Sequence, residues 1–268
     1  MRTRFFSILA SVVALFATTS DTRADVIFDN LSPTGTNVFF NSGVADINPS
    51  RYLLGEDITS TLALPSNATS WRLDSVDFNL FAHGNGTTTE TFSDVMVEVT
   101  LWGDITGTTG NDFGASFAAA PVLGSEVFSL GDVTTGVDGG SIASTVALDF
   151  TNQIDIGDGQ NIGITFELFD AVTAPLADRR SDRLSVGFRN GDDNSPLVGS
   201  TTDRLFRERG GALGVIDGTI DDFGFGSDAG LRFSLEATAV TESTAVPEPT
   251  SFAVLGIFGL GLAARRRR

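Results

Sequence analysis

Cysteine and lysine are both absent from the 268 residues; all 17 basic side chains are arginine. Without cysteine there are no disulfides, no thiolate zinc sites and no cysteine nucleophile. Histidine is almost missing as well. His83 stands alone, which excludes a multi-histidine metal centre and leaves a histidine-dependent triad without support. Positive charge is scarce against 34 acids, for a formal net charge of -17, so the chain repels phosphate backbones and nucleic acid is excluded as a partner. What remains is foldable material: 41% hydrophobic residues and 30 glycines are not the composition of a disordered acidic tract.

Both ends read as delivery segments. Arg2 and Arg4 precede an apolar stretch over residues 5–17, and Thr22 and Ala24 place small residues at cleavage positions. This order predicts a secretory signal over 1–24, handled by the export machinery, with Asp25 as the first mature residue. At the other end, Pro247, Glu248 and Pro249 lead into an apolar run over 252–264, closed by Arg265, Arg266, Arg267 and Arg268. As a helix that run rises only about 20 Å, short of the ~30 Å hydrocarbon core, and the arginine stems extend its reach by snorkelling. A short transmembrane helix with its arginines on the cytoplasmic side leaves the rest of the chain outside. The prolines cannot continue the helix upstream and hold Glu248 in an extended stretch suited to a processing enzyme's groove.

The three-part order of Pro247-Glu248-Pro249, apolar helix and arginine cluster resembles the PEP-CTERM sorting signal of Gram-negative and related bacteria. In that family the tripeptide marks a substrate of an exosortase, a membrane-embedded, transpeptidase-like cysteine protease, in settings associated with exopolysaccharide and biofilm matrix. The resemblance covers about the last 22 residues. It implies an exosortase-type partner and a place in the cell envelope or outside it, anchored transiently or stably by the C-terminal helix.

Between the ends, residues 25–245 form the body, with ten arginines against 32 acids counted to residue 246. Its hydrophobic period is two, not 3.6. Leu231, Phe233, Leu235 and Ala237 alternate with polar neighbours, as do Val95, Val97, Val99 and Leu101. Val76, Phe78 and Leu80 make a third such face, and Ile162, Ile164, Phe166 and Leu168 a fourth. Residues 142–150 and the set Ile58, Leu62, Leu64 give two more strands; 26–28, 38–40, 127–130 and 184–188 give shorter ones. No helical stripe is expected within the body. Alternation with one wet face predicts an all-β, antiparallel, jelly-roll-like β-sandwich filled by phenylalanines such as Phe78, Phe150, Phe166 and Phe233. The order of residues 25–30, the strand at 71–81, the strand at 95–102 and Asn161-Ile162-Gly163-Ile164-Thr165-Phe166 is similar to the choice-of-anchor ectodomains found upstream of PEP-CTERM tails. That resemblance implies a surface module without established catalysis.

Candidate chemistry is sparse. Glu98 and Glu167 fall on polar sides of strands and read as solvated surface, so no carboxylate pair stands out for glycoside hydrolysis. Calcium is the metal that the oxygen-rich donor set suits, and Asp155, Asp158 and Asn161 around Gly157 and Gly159 form its candidate site, beside a reading as plain turn residues. No other cofactor is expected. Trp71, Trp102 and Tyr52 are the candidates for stacking on a sugar. Arg204, Arg207 and Arg209 read as a solvated loop. The leading expectation is a non-enzymatic, secreted structural or adhesive protein linked to exopolysaccharide or biofilm. Two alternatives stay open: a carbohydrate-binding or carbohydrate-hydrolysing module, and a calcium-stabilised adhesin.

Overall fold

The computed structural model describes residues 24–31, 37–38, 52–83, 89, 91–105, 113–134, 141–170, 184–190, 196–202, 205–209, 216, 219–223 and 229–241. The expected signal segment before residue 24 and the whole tail from 242 lie outside the described residues. Among the described residues no helix is long and apolar enough to cross a membrane.

Among the described residues the body has fifteen strands and one short helix: β1 Asp25–Asp29, β2 Asn37–Val38, β3 Tyr52–Thr59, β4 Ala68–His83, β5 Thr91–Trp102, α1 Phe113–Ala119, β6 Val122–Thr134, β7 Ser141–Asp149, β8 Asp155–Ile156, β9 Asn161–Asp170, β10 Leu184–Val186, β11 Phe188–Asn190, β12 Leu205–Arg209, β13 Thr219–Phe223, β14 Ala229–Leu231 and β15 Phe233–Thr241. Every pairing is antiparallel, as alternation with short turns requires. One sheet runs β1-β15-β4-β10, with β7 and β8 on the other side of β4; it holds the first and the last strand. We call it the terminal sheet. A second, the long sheet, runs β13-β12-β3-β9-β5-β6, and a small third sheet runs β14-β11-β2.

The terminal and long sheets face each other across a phenylalanine core. Phe78 of β4 and Phe166 of β9 lie 5.3 Å apart by ring centroid, Phe166 and Phe233 of β15 5.6 Å, and Phe233 and Phe28 of β1 4.7 Å. All four are buried, and so are Val95, Val97, Val99 and Leu101 of β5. Phe150 stands at the margin, half-buried against Phe128. At the corner where the terminal sheet gives way to the small one, three backbones close a ring of hydrogen bonds. Asn79 N–H donates to the Arg232 carbonyl (3.0 Å), Arg232 N–H to that of Gly187 (2.7 Å), and Gly187 N–H to that of Asn79 (2.7 Å). The ring satisfies buried polar groups where regular ladder bonds stop.

Four expectations need correction. The body does contain a helix: α1 spans seven residues and buries Phe113, Gly114 and Phe117. Two turns with one apolar repeat and no charged residue in the first or last turn give too little periodicity to register. The strand expected through Ile58, Leu62 and Leu64 ends at Thr59 and instead begins at Tyr52. Arg207 belongs to β12 and is buried, not a solvated loop residue. Glu167, expected at the surface, is 2% exposed. The last point follows from α1, because a second apolar cluster covers the outer face of the long sheet. Leu53, Trp102, Ile105, Phe113, Phe117 and Phe206 form it. Phe117 packs on Phe206 at 4.6 Å and edge-on to Phe113 at 5.2 Å.

That layer fits only because the sheet beneath it is bare at two places. A Cβ on Gly163 would stand 2.2 Å from the Phe117 ring, and one on Gly55 2.2 Å from the ring of Phe206. Both rings therefore lie directly on backbone, an approach that any larger residue would obstruct.

Candidate functional site

Two of the three sugar-stacking candidates, Trp71 and Trp102, are buried. Trp71 lies in β4, 1% exposed, in the core cluster that also holds Ile154 and Ile156, and its indole N–H has no hydrogen-bond partner among the described residues. Trp102 ends β5, 5% exposed, and donates its Nε1–H to Thr165 Oγ1 at 2.9 Å. Its alternation in β5 puts it on the outer face, where the α1 layer then buries it. Neither ring offers a free face to a ligand, which corrects the expectation for both. Tyr52 opens β3 opposite Arg209, and its side chain lies outside the described residues.

The calcium candidates are each engaged elsewhere. The Asp155 carboxylate takes both arms of Arg72, with Nε to Oδ1 at 2.9 Å and Nη2 to Oδ2 at 3.1 Å. That hydrogen-bonded pairing raises the Arg72 pKa, against a smaller opposing effect of burial. Asp158 Oδ1 accepts the backbone N–H of Leu64 at 3.1 Å. Asn161 Nδ2 donates to Asp57 Oδ2 and to Thr59 Oγ1, both at 2.9 Å. The structure thus sends the three side chains to three different tasks: an ion pair, a loop clamp and a strand-to-strand link. Among the described residues no group of three or more histidine or acid side chains is placed to hold a metal ion.

Two polar assemblies had no sequence signal. Asp57 is fully buried and uses both carboxylate oxygens, Oδ2 for Asn161 and Oδ1 for the hydroxyl of Thr202 at 2.5 Å. It ties β3, β9 and the 200–202 segment together. Leu231, at the end of β14, is held by side chains from two distant segments. Its N–H donates to Glu56 Oε2 at 2.6 Å, and its carbonyl accepts from Asn30 Nδ2 at 2.9 Å. Both side chains are fully buried. A buried acid that satisfies backbone in this way belongs to the scaffold. The alternation of β3 places Glu56 between the inward Leu54 and Ile58, a position that a surface reading of acids passes over.

One carboxylate nearer the surface also serves the fold, and another does not. Partial burial works to raise Glu126, but hydrogen bonds from the Thr151 hydroxyl and from the N–H groups of Asn152 and Thr151 outweigh it and hold the acid below its ordinary value. On the outer face of the terminal sheet, burial and then the nearby charge of Asp149 push Asp77 up. Glu98 and Glu167 stand directly opposite each other across β5 and β9.

One cavity of about 360 Å³ opens between β6 and β7, strands that pair on one side only among the described residues. Leu80, Leu130 and Val146 form its floor, with Ser129, Ser144 and Asp132 at the rim. Asp132 Oδ1 accepts the Asp94 N–H at 3.2 Å. The lining contains one carboxylate and no histidine, so it supplies neither a pair of acids nor a base beside a nucleophile.

Pro247, Glu248, Pro249 and the arginines at 265–268 lie outside the described residues. Sequence comparison addresses them directly. The profile of the PEP-CTERM protein-sorting motif matches residues 245–268. The tail is therefore an exosortase-type sorting signal, and the chain is an exported protein with its sorting segment at the C-terminal end. No curated protein matches the chain.

Proposed function

We propose that the chain is a non-enzymatic structural or adhesive protein, secreted through its N-terminal signal and displayed in the cell envelope or an exopolysaccharide matrix by its processed tail. The observation that carries this reading is the sorting motif at 245–268, joined to an all-β body in which the buried acids Glu56 and Asp57 hold backbone and neighbouring segments. Sites for catalysis need polar groups that converge on a space a substrate can enter, with groups left over for the substrate. Here Glu56, Asp57 and Glu126 are engaged in holding strands and loops. The buried positions of Trp71 and Trp102 likewise favour a structural part over sugar stacking at those two residues.

In the sorting step the tripeptide presents Glu248 to the processing enzyme, the apolar run holds the chain in the membrane, and the four arginines keep its end on the cytoplasmic side. Replacement of Pro247 or Glu248 by alanine leaves an unprocessed, membrane-retained precursor, read by fractionation and mass. Release and maturation like the wild type would refute the sorting role of the tripeptide. For the matrix role, binding of the exported protein to isolated exopolysaccharide is the direct assay, and a product released from that polysaccharide would refute the non-enzymatic reading.

A further inference from the structure

We infer that the pole of the sandwich formed by the start of β1, the end of β15 and the start of β4 faces the membrane in the precursor, and that the opposite pole is the displayed surface. This rests on the sorting reading above. The register makes the geometry explicit. β1 pairs antiparallel with β15, Asp25 opposite Ala237, and β15 continues along β4 until Thr241 meets Ala68. The first mature residue and the last residue before the tail therefore leave the body at the same end. Asp158, clamped on Leu64, and Gln160, donating to Asp104, bring the lower turns of both sheets to that end as well.

Between Thr241 and the apolar run that starts at residue 252 lie ten residues, which span at most about 36 Å whatever their conformation. The body is longer than this tether. β4 alone runs 16 residues from Ala68 to His83, about 50 Å from pole to pole. A tether shorter than the object it holds, and attached at one pole, keeps that pole the nearer to the lipid. His83, Thr91, Thr134 and Ser141 mark the far pole, where β4 meets β7 and β5 meets β6. The tether sets the orientation, because the near pole carries Asp25, Asp104 and Asp158, which do not adhere to an anionic surface.

The absence of cysteine makes the test direct. Ser66→Cys, in the exposed turn before β4, and Thr134→Cys, exposed at the far pole, each accept a single fluorophore. The full-length chain is reconstituted into phosphatidylethanolamine–phosphatidylglycerol vesicles that carry a nitroxide on the lipid headgroup. Quenching several-fold stronger at position 66 than at 134 is the expected result. A flexible insert of about 20 Gly and Ser residues after Thr241, with a root-mean-square reach of ~25 Å, should remove most of that difference. Equal quenching at the two positions in vesicle-bound protein, or a difference that survives the insert, overturns the inference and leaves the sorting reading in place. Failure of the chain to enter vesicles overturns the membrane-held tail and the inference with it.

Discussion

The outer faces of the two large sheets carry similar residues and meet opposite fates. On the terminal sheet the outward positions include Arg72, Asp74 and Asp77, and they stay wet. Arg72 pairs with Asp155, and Thr238 donates to Asp74 at 2.6 Å. On the long sheet the outward positions include Gly55, Asp57, Gly163, Thr165 and Glu167, no more apolar in sequence, yet they are covered. The difference is α1. Seven residues supply two phenylalanines, and these recruit Trp102 and Phe206 into a third layer. Polarity along a strand reports what a face is made of; it does not report what lies on top of it.

The largest test of this contrast removes the layer. Phe117→Ala should cost about 3–5 kcal/mol, the range for truncating a buried aromatic, and lower the melting temperature accordingly. Gly163→Ala should cost about 1–3 kcal/mol by forcing Phe117 off the sheet. In the double variant the glycine effect should largely disappear, which a double-mutant cycle reads directly. If the two losses simply add, Phe117 does not rest on Gly163 and the layer is looser than described.

A smaller effect sharpens the comparison at one hydrogen bond. Trp102→Phe keeps most of the ring and loses the bond to Thr165, for an expected cost of about 1–2 kcal/mol by denaturant titration. No cost would mean that the face is wet there after all.

The smallest effects lie on half-buried carboxylates and are read against pH. Glu126 is held below its ordinary 4.5, so it contributes stability above that pH and loses the contribution as pH falls through its folded value. Glu126→Gln should cost about 0.5–1 kcal/mol at neutral pH, after discounting for solvent screening, and nothing once the wild-type acid is protonated. Asp77 has the opposite sign. Its folded value lies above the ordinary 3.8, so stability falls as pH rises through the window above 3.8. Asp77→Asn should therefore gain a few tenths of a kcal/mol at neutral pH and be silent in acid. Parallel pH profiles for the two variants would contradict these assignments.

Most strands were legible because one face of each packs on the core. The alternations at Phe233–Leu235, at Val95–Leu101 and at Ile162–Leu168 are produced by the same burial that the structure displays. The short helix was not legible, since Phe113 and Phe117 make a single apolar repeat. β3 was misread because its inner face contains Glu56 where a strand reading wants an apolar residue, and its outer face contains Gly55 and Asp57. The backbone bond that justifies Glu56 comes from Leu231, 175 positions away, and no local pattern carries it. The burial of Trp102 was hidden for a related reason: a tryptophan at a strand end looks accessible until the layer above it is known. The tail was readable from its own residues, because a motif that must be recognised in extended form carries its information locally.

The pairing of β1 with β15 also sets a timetable. Export delivers Asp25 early and Ala237 more than 200 residues later, so the strand carrying Ile27 and Phe28 has no sheet neighbour until synthesis is almost finished. Contacts so distant along the chain close slowly. The newly secreted polypeptide must therefore spend an interval as an incomplete sandwich with apolar surface uncovered, exposed to chaperones and proteases outside the cytoplasm. Its last strand locks the first in place at about the moment the sorting segment arrives.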